Sequence, residues 1–448
     1  MSVPRYESFG RTNPPAARAV HAPWAIALLE GGKAGEGSLL AYGNGRSYGD
    51  SCQNSLGAVI DMRSMNRIIS FDPETGILEA EAGVLLTDII AHAAPYGFFP
   101  YVVPGTQYVT LGGAIANDVH GKNHHRRGTF GCHVVGFSLL RSDGSVHRCT
   151  RDAESALFAA TIGGMGMTGL MLAASIRLMP VTSLDIAERV MPFQNLQEFV
   201  DQAEVADAEN EYAVAWIDQL ATGLHAGRGL LLTGNHADAG DARHRTTRLG
   251  VPFQPPINIL NRPFLKTFNA AYRWSKGRTR EKTSDYGGFF FPLDGVRDWN
   301  RLYGPRGLYQ HQSVVPEDAA RVTLPLLLDA AIAAGQGSFL TVLKRFGAVR
   351  SPGLLSFPRP GYTLTLDFPN RGTSTIKLLE RLDAITLDAG GAINPYKDAR
   401  LGAQAFAASF PNWRELEALR DPVFISDFWR RTALQLNGYA DQAAAAAG

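Results

Sequence analysis

Three glycine-rich segments near the amino terminus constrain the fold of this chain more than any other feature. They are residues 43–50 (Gly-Asn-Gly-Arg-Ser-Tyr-Gly-Asp), 104–113 (Pro-Gly-Thr-Gln-Tyr-Val-Thr-Leu-Gly-Gly) and 163–169 (Gly-Gly-Met-Gly-Met-Thr-Gly). Glycine lets a backbone turn tightly and bring successive N–H groups against a ligand, where they form a concave site for a pyrophosphate. A single such loop often serves only a turn or the end of a strand. Several in one region predict a dinucleotide-binding domain.

The third segment contains the Gly-x-Gly-x-x-Gly spacing of a nicotinamide site, at Gly164, Gly166 and Gly169. That fingerprint requires a strand before it and a helix after it. Here residues 153–160 have the pattern of a helix, and residues 170–178 alternate like a strand. Because the order is reversed, we reject the nicotinamide interpretation.

The composition excludes several classes of protein. The 448-residue chain is long for one hydrophobic core, which predicts two domains or one domain with a large insertion. Its 43 Lys and Arg nearly balance 42 Asp and Glu, which argues against nucleic-acid binding through an overall positive field. Cys52, Cys132 and Cys149 form no disulfide or Cys-x-x-Cys pattern. With no secretory signal or apolar span evident, we expect a cytoplasmic protein, and a peripheral contact with the inner face of the plasma membrane stays open.

Local patterns divide the chain into two regions. The hairpin pattern of residues 68–80 and the helical spacing of residues 85–94 predict mixed α and β structure in the first region. Between about residues 187 and 387, alternating runs such as 362–368 predict a second region dominated by antiparallel strands. The expected fold class is therefore α+β.

Residues 261–282 stand apart because they combine seven Lys and Arg with four aromatic residues. One interpretation is a solvated, mobile loop with some helix. Another is a basic, aromatic flap that meets anionic lipid headgroups or a lipid phosphate. Glu281 and Asp285 weaken the second interpretation, and both stay open.

A run of unusual chemistry, His-Gly-Lys-Asn-His-His, begins at His120 and includes Lys122, His124 and His125. Imidazole is a common ligand of transition metals. However, the adjacent lysine ammonium repels a cation, and no Cys or Glu completes the set. We therefore expect no metal here, and structural hydrogen bonds and contacts to cofactor or substrate remain the alternatives.

Several motifs resemble the decaprenylphosphoryl-ribose 2-oxidase family of the vanillyl-alcohol-oxidase superfamily. Residues 45–50 and 109–116 (Val-Thr-Leu-Gly-Gly-Ala-Ile-Ala) are similar to the superfamily's flavin-binding half. Residues 117–125, 338–347 (Ser-Phe-Leu-Thr-Val-Leu-Lys-Arg-Phe-Gly) and 397–400 (Lys-Asp-Ala-Arg) are similar to the family itself. The similarity extends from residue 9 to residue 427 and is weakest between about residues 222 and 282.

The resemblance implies a two-domain PCMH-type FAD-binding fold, with an antiparallel-sheet substrate domain inserted before a C-terminal return. Its boundaries are placed at residues 1–183 for the FAD-binding domain and 184–391 for the substrate-binding domain. Residues 392–448 form the C-terminal segment that returns to the FAD domain.

The resemblance also implies FAD, with its pyrophosphate on the first two glycine loops. Many relatives attach the flavin to a histidine that closes the first motif, where this chain has Asp50, so noncovalent FAD is expected. The positions that match cofactor contacts are Tyr42, Gly43, Asn44, Gly45, Arg46, Ser47, Tyr48, Gly49, Asp50, Ser51, Gly105, Thr110, Leu111, Gly112, Gly113, Asn117, Asp118, Val119, His120, Met171 and Asn394.

Oxidation of an alcohol by a flavin also needs a base for the hydroxyl proton. A lysine serves as that base only if burial or a neighbouring cation lowers its pKa from about 10.4. Lys344 and Lys397 are candidates, although by residue type alone each is more often a surface or salt-bridged lysine. Lys397 matches the family's essential active-site lysine, and the resemblance places His120 beside the flavin. The positions that match substrate contacts are Tyr48, Lys122, Trp216, Gln312, Lys344 and Thr365.

Three positions depart from the family pattern. Thr365 stands where mycobacterial members carry the cysteine attacked by covalent nitro-aromatic inhibitors, and we expect little covalent trapping because a hydroxyl is a poor nucleophile. Asn394 replaces a tyrosine near the flavin, and Val214 replaces a serine in the pocket. These departures bear on the identity of the substrate.

The resemblance implies an FAD-dependent oxidation of the 2-hydroxyl of a polyprenyl-phosphate pentose, the first half of a two-enzyme epimerisation for arabinose-type cell-envelope glycans. A short-chain-type NAD(P)-dependent reductase is the implied functional partner. A quinone, another carrier and dioxygen all stay open as electron acceptors. The alternatives are an oxidase of a soluble alditol or aldonolactone, and a non-catalytic flavin-binding scaffold.

Overall fold

The computed structural model describes residues 6–33, 37–240, 249–278 and 281–436. Arg280 of the basic segment lies outside these ranges. Residues 1–5 of the predicted FAD-binding domain and residues 437–448 of the predicted C-terminal segment also lie outside them. The expected division into domains stays a prediction.

Two sheets build the first half of the described chain. A small parallel sheet has the strand order β1-β3-β2 and consists of β1 (Ala19–His21), β2 (Leu39–Tyr42) and β3 (Ala58–Asp61). The second sheet is antiparallel, has the order β4-β5-β9-β7-β8 and pairs β6 with β9. Its strands are β4 (Ile68–Asp72), β5 (Ile77–Glu81), β6 (Phe98–Pro100), β7 (Val134–Leu140), β8 (Val146–Thr150) and β9 (Leu170–Pro180).

A large antiparallel sheet builds the second half, in the order β14-β10-β12-β11-β17-β18-β16-β19. A separate parallel pair joins β13 to β15. The strands are β10 (Ile186–Phe193), β11 (Tyr212–Ile217), β12 (Gly229–His236), β13 (Leu249–Gly250), β14 (Glu281–Ser284), β15 (Val296–Arg297), β16 (Leu308–Val315), β17 (Thr341–Phe346), β18 (Gly361–Pro369) and β19 (Ala392–Ile393).

The helices lie between the strands and after the last one. They are α1 (Ala22–Glu30), α2 (Leu86–Ala93), α3 (Leu111–Ala116), α4 (His124–Arg127), α5 (Ser155–Thr161), α6 (Leu196–Glu209), α7 (Arg262–Arg278), α8 (Tyr286–Phe290), α9 (Ala320–Ala333), α10 (Thr373–Asp388), α11 (Ala403–Ser409), α12 (Trp413–Leu419) and α13 (Asp427–Arg431). Within the described ranges, no helix combines the length and apolarity needed to cross a membrane.

The two faces of the large sheet have different environments. Because successive side chains of a strand point to opposite faces, Leu343 and Leu364 enter a core formed with α6, α9 and α10. Lys344 and Thr365, the next residue along each strand, line a cavity on the other face. The sheet thus presents polar side chains toward the glycine-rich half of the chain.

The local predictions for the first region are confirmed. The expected hairpin is β4 paired with β5, and the expected helix is α2, whose buried face includes Ile89 and Ile90. The chain leaves this helix through a short turn that ends at Gly97, which has a φ of 75° in the left-handed region that glycine favours. The α+β class with a largely antiparallel second region is also confirmed.

Most of the described part of the basic segment is helical. Residues 262–278 form α7, and Leu265 is fully buried while Asn269 is 2% exposed. Asn269 donates from Nδ2 to Oδ1 of Asp218 at 2.8 Å, which anchors the helix to the chain that follows β11. Residues 262–278 are therefore helix rather than loop, and they remain largely solvated, because only Leu265 and Asn269 are buried.

Candidate active site

A cavity of about 1040 Å³ separates the glycine-rich loops from the polar face of the large sheet. Pockets for drug-sized ligands measure roughly 300–1,000 Å³. This cavity is therefore large enough for an extended cofactor together with part of a second ligand. Residues from each of the three glycine segments line it, as do side chains from β11, β17 and β18.

One end of the cavity has polar groups that lack protein partners. Nε of Arg46 and Oγ of Ser51 are buried without a hydrogen-bond partner, and both residues line the cavity. The Arg46 guanidinium lies 5.7 Å from the ring centres of Phe9 and Tyr108, which hold it in place. An unsatisfied buried donor costs free energy, and a pyrophosphate would satisfy both groups. The residues present therefore fit FAD.

Close contacts fix the first two glycine loops against each other. Asn44 donates from Nδ2 to the carbonyl oxygen of Tyr108 at 2.8 Å. Oγ1 of Thr110 accepts from the Gly113 N–H at 3.1 Å and caps α3. A Cβ at Gly43 would overlap the Thr110 side chain, so only glycine fits where the two loops meet.

Most of the predicted cofactor positions line the cavity. These are Gly43, Asn44, Gly45, Arg46, Ser47, Tyr48, Ser51, Gly105, Thr110, Gly112, Gly113, Asn117, Asp118, Val119, His120, Met171 and Asn394. Their individual contacts to FAD remain predictions.

Four predicted cofactor positions lie behind the cavity wall instead. Tyr42 donates from its hydroxyl to the Glu7 carbonyl oxygen at 2.7 Å, and Leu111 is fully buried in the core. A Cβ at Gly49 would overlap the backbone of Asp398. The fourth, Asp50, is 2% exposed and paired with an arginine of α13. Direct contact of these four residues with FAD remains a prediction.

His120 and Lys344 form a hydrogen-bonded pair in the cavity wall. Nζ of Lys344 lies 3.0 Å from Nδ1 of His120 and donates to the Gly121 carbonyl oxygen at 3.2 Å. Burial lowers the pKa of His120 well below its ordinary value, and Lys344 and Lys397 lower it further. Burial also lowers the pKa of Lys344 well below its ordinary value, and Lys397 contributes in the same direction. Both groups are therefore biased toward their neutral forms.

Lys397 lines the cavity next to a buried carboxylate. Burial lowers its pKa, and the charge of Asp367 opposes that shift. Asp367 is fully buried on β18 and accepts from Nε2 of Gln310 at 2.5 Å, while its Oδ2 has no hydrogen-bond partner. Burial raises the pKa of Asp367, whereas the Gln310 hydrogen bond and the Lys397 charge lower it. Nζ of Lys397 lies 5.9 Å from the ring centre of Tyr48.

Lys122 occupies the end of the cavity near α8. Its ammonium donates to the Phe289 carbonyl oxygen and lies 4.5 Å from the ring centre of the same residue. Burial lowers the pKa of Lys122 to about 7, and Lys276 adds to that effect while Glu188 opposes it. An anionic ligand bound beside Lys122 would therefore add to the effect of Glu188 and stabilise the charged form of this lysine.

Helix α7 closes this end of the cavity with an aromatic and a charged contact. The Tyr272 ring lies 4.9 Å from the Trp216 ring, and both residues line the cavity. Glu188 lies 3.9 Å from Nζ of Lys276 and 3.2 Å from Nζ of Lys282. The basic segment therefore contributes directly to the cavity wall.

Of the remaining predicted substrate positions, one lines the cavity and one lies behind the cavity wall. Thr365 lines the cavity, but Gln312, the residue opposite it on β16, lies one layer behind. Nε2 of Gln312 contacts Nε2 of His120 at 3.1 Å, and its Oε1 accepts from Nδ2 of Asn394 at 2.9 Å. Gln312 therefore supports His120, and contact with a substrate remains only a prediction.

The sequence analysis missed several residues of the cavity wall. Gln310, Glu188 and Tyr272 line the cavity, and Asp367 lies behind the wall, where it accepts from Gln310. Asp367 follows Thr365 by two positions on one strand, so the alternation of strand side chains could have placed it on the same face. Glu188 carries no comparable local signal, whereas Tyr272 is one of the four aromatic residues of the basic segment.

The histidines of the 120–125 run do not face a shared ligand site. His124 packs against Phe346 with a ring separation of 4.6 Å, and burial lowers its pKa to about 3. His125 contacts the Asn210 carbonyl oxygen at 3.1 Å and Asp207 at 3.5 Å. Among the described residues, no three His, Cys, Asp or Glu side chains are grouped to hold a metal ion.

Comparison with known proteins identifies relatives of this chain. A family model described as an FAD binding domain matches residues 28–150. The chain is similar to decaprenylphosphoryl-beta-D-ribose oxidase of Mycolicibacterium smegmatis, with 35% identity over 96% of this chain and 97% of that protein. It is also similar to an uncharacterized protein of Streptomyces coelicolor, with 34% identity over 76% of this chain and 97% of that protein.

A more distant similarity covers a smaller part of the chain. L-gulonolactone oxidase of Mus musculus is 28% identical over 38% of this chain and 38% of its own length. The length of the alignments thus separates relatives that share most of the chain from those that share one part of it.

Proposed function

Because this chain belongs to the decaprenylphosphoryl-beta-D-ribose oxidase family, we propose that it oxidises the 2-hydroxyl of a polyprenyl-phosphate pentose to a ketone. Membership confirms the resemblance carried by the motifs, and with it an FAD-dependent oxidoreductase that acts on a CH–OH group. Ribose is the first candidate for the pentose. The observation that carries the proposal is that Lys122, Lys344 and Lys397 line one cavity with the glycine-rich loops.

Lys397 and Lys344 have different proposed roles, one in proton transfer and one in substrate binding. Bound FAD supplies the hydride acceptor. Lys397 takes the hydroxyl proton, since its lowered pKa makes the free amine accessible near neutral pH. Lys344 donates a hydrogen bond to a sugar oxygen, and His120 holds Lys344 in place through the contact at 3.0 Å.

Lys122 is the proposed partner of the substrate phosphate. It lies at the end of the cavity where α7 and α8 meet, and Lys276 lines the same region. A phosphodiester placed there would restore the charge that burial disfavours in Lys122. Trp216 and Tyr272 offer apolar surface for the first part of the lipid chain.

FAD is proposed to be held noncovalently. The position that could close a histidyl–flavin bond is Asp50, and Arg431 holds its carboxylate by two hydrogen bonds of 2.7 and 2.9 Å. Denaturation followed by ultrafiltration tests this directly. All of the yellow cofactor should pass the filter, and flavin that remains on the protein would contradict the proposal.

Anaerobic mixing tests the substrate. The purified yellow protein is mixed with polyprenyl-phosphoryl ribose, its arabinose epimer and free polyols, and flavin absorbance is followed. We expect bleaching by the lipid-linked ribose and none by free polyols. Bleaching by polyols without a lipid requirement would favour the soluble alditol or aldonolactone oxidase, and no bleaching by any sugar would overturn the proposal.

Two lysine variants distinguish catalysis from a passive scaffold. Lys397→Met should slow flavin reduction about 10²- to 10⁴-fold, the usual contribution of a general base. Lys377→Met, on the exposed side of α10, is the matched control and should react like the wild type. Equal rates for both variants would show that Lys397 is not the base. Equal behaviour of the variants together with no bleaching by any sugar would support the non-catalytic scaffold.

A peripheral membrane contact is the proposed route for a lipid-linked substrate. Phe264 and Trp274 of α7 are 42% and 62% exposed, and Phe253 and Ile257 before the helix are 68% and 69% exposed. The Arg278 guanidinium lies 4.0 Å from the Trp274 ring centre. Exposed aromatic and cationic side chains together favour an anionic bilayer surface.

Vesicle flotation tests this contact. The protein should float with vesicles that contain anionic lipid and lose binding when Phe264 and Trp274 are both replaced by Ser. The control replaces Val205 and Leu326, which are 57% and 48% exposed on α6 and α9, and should float normally. Equal flotation of the two double variants would exclude α7 as the contact.

A reductase is the proposed functional partner. The carbonyl carbon of the ketone product is planar. A second enzyme must therefore add a hydride to the face opposite the one that lost it, which completes an epimerisation. A short-chain-type NAD(P)-dependent reductase supplies that chemistry. Accumulation of the epimer in a mixture of the two enzymes, and of the ketone without the reductase, is the expected result.

A further inference from the structure

A continuous hydrogen-bonded chain crosses from the C-terminal segment to the cavity. The Tyr396 N–H donates to Oδ1 of Asn394 at 3.0 Å, and Nδ2 of Asn394 donates to Oε1 of Gln312 at 2.9 Å. Nε2 of Gln312 lies 3.1 Å from Nε2 of His120. Nδ1 of His120 lies 3.0 Å from Nζ of Lys344. Each member therefore restricts the proton positions of the next.

The first link sets the direction of the chain. A backbone N–H can only donate, so the Asn394 atom that faces Tyr396 must be its oxygen, and its amide nitrogen must face Gln312. The amide of Gln312 is then oriented with its oxygen toward Asn394 and its nitrogen toward His120. The other hydrogen of that nitrogen reaches Oγ1 of Thr363 at 2.9 Å, which fits the same orientation.

The direction of the chain decides the tautomer of His120. Its Nε2 receives a hydrogen from Gln312 and must present a lone pair. A neutral imidazole carries one N–H and one acceptor nitrogen, so the hydrogen is on Nδ1. An imidazolium would direct an N–H at the Gln312 N–H, and burial lowers the pKa of His120 well below its ordinary value.

The tautomer in turn decides the form of Lys344. The Nδ1–H of His120 must find an acceptor, and the atom 3.0 Å away is Nζ of Lys344. An ammonium has three donors and no acceptor, whereas a neutral amine has one lone pair. The lone pair of neutral Lys344 accepts from His120, and one of its hydrogens reaches the Gly121 carbonyl oxygen at 3.2 Å.

The charged surroundings agree with a neutral Lys344. Burial lowers its pKa, and Lys397 and Lys122 lower it further. His124 also faces this region and is itself biased to the neutral form by burial. Among the ion pairs of the described residues, none involves Lys344, so no nearby carboxylate restores its charge.

We propose that Asn394 is a positioning residue that keeps His120 in its Nδ1–H tautomer and Lys344 as a neutral amine. This inference rests on the proposed function and deepens it, because it separates the roles of the two lysines. The lone pair of Lys344 is occupied by His120, so Lys344 meets the substrate only as a donor. Acceptance of the hydroxyl proton is left to Lys397.

Nuclear magnetic resonance of histidine tests the proposal. The FAD-bound protein is labelled with ¹⁵N-histidine, and long-range ¹H–¹⁵N correlations near pH 7 report which ring nitrogen carries the hydrogen. The His120 signals are assigned by their loss in His120→Gln. The expected result is a protonated Nδ1 and a bare Nε2 at His120. A protonated Nε2, alone or in an imidazolium, would overturn the proposal.

Asn394→Asp tests the direction of the chain. It keeps the oxygen that accepts from Tyr396 but replaces the donor toward Gln312 by an acceptor. Gln312 must then turn its amide, so the hydrogen of His120 should move to Nε2 and Lys344 should become the donor. An unchanged His120 tautomer in this variant would contradict the proposal.

Two further variants separate hydrogen-bond direction from added charge. Asn394→Ala removes the anchor without adding a charge and should give a mixture of both His120 tautomers. Thr363→Val removes a neighbour of Gln312 but leaves the chain intact, and should keep the Nδ1–H form. A pure Nδ1–H signal in Asn394→Ala would show that Asn394 does not set the tautomer. These measurements need no sugar, so they remain decisive even if the proposed substrate is wrong.

Discussion

Arg431 and Asp50 are 381 positions apart, yet Nε of Arg431 donates to Oδ2 of Asp50 at 2.7 Å and its Nη2 donates to Oδ1 at 2.9 Å. Nη2 also donates to Asp398 at 2.7 Å, next to Lys397. One guanidinium thus joins the first glycine loop to the segment that carries the proposed base. The C-terminal return therefore stabilises both ends of the site together.

We expect Arg431→Met to lower the free energy of unfolding by about 3–5 kcal/mol, because buried Asp50 loses its charged partner. Asp398 loses one charged partner and keeps Arg400 at 3.8 Å. Urea denaturation of the FAD-bound protein measures this. Arg321→Met is the control, since Arg321 and Asp201 form an exposed pair at 2.7 Å and should contribute at most about 1 kcal/mol. Equal midpoints for both variants would show that the buried pair contributes no more than the exposed one.

We expect Gly49→Ala to reduce both stability and sugar-dependent flavin reduction. The new Cβ would overlap the backbone of Asp398, which cannot move without displacing Lys397. Overpacking of this kind costs about 1–3 kcal/mol, and a displaced base should slow flavin reduction at least about tenfold. Gly402→Ala is the control, because no atom lies within 4 Å of its added Cβ. Wild-type rates in Gly49→Ala would refute the close packing.

We expect Asp367→Asn to move the acidic limb of the kcat/KM profile to lower pH. The charge of Asp367 raises the pKa of Lys397, so removing that charge lets Lys397 lose its proton at lower pH. The variant keeps the oxygen that accepts from Gln310. The exposed Asp152→Asn serves as the control and should leave the profile unchanged. A shift of the limb to higher pH would contradict the assigned pair.

We expect Lys122→Met to stabilise the fold while weakening the binding of a phosphorylated substrate. Burial lowers the pKa of folded Lys122 to about 7, so below that pH the folded state carries a costly buried charge. The gain should be about 1–2 kcal/mol at pH 6. It should shrink as the pH rises toward the ordinary lysine value of 10.5, where the unfolded chain also loses the proton. Urea denaturation across pH, with Lys377→Met as control, measures this; a gain independent of pH would disprove it.

We expect no covalent adduct at Thr365 with a thiol-directed electrophile that fits the cavity. The Thr365→Cys variant should gain an adduct on that peptide, detected by mass spectrometry. Cys52 also lines the cavity, but burial raises its pKa to about 12, so it holds little reactive thiolate. A stable adduct at Thr365 in the wild type would contradict the expectation.

Local chemistry made part of this protein predictable from its sequence. The β4–β5 hairpin, the turn that follows α2 and ends at Gly97, and the alternation of β18 depend on residues only a few positions apart. The glycine-rich loops predicted a dinucleotide-binding domain. The resemblance of the motifs to the oxidase family implied FAD and an oxidoreductase, and the comparisons with known proteins confirm both. The noncovalent attachment and the substrate remain proposals.

Only the tertiary structure decided the order of the basic segment and the fine chemistry of the site. Residues 262–278 form a helix, and one side of it packs on the large antiparallel sheet. Most strands of that sheet come from other parts of the sequence. His120, Gln312, Lys344 and Asn394 meet because two sheets and the C-terminal return pack together. The direction of a hydrogen bond and the pKa of a side chain depend on burial and on neighbours that are far apart in the sequence. A local sequence pattern contains no information about that burial or those neighbours.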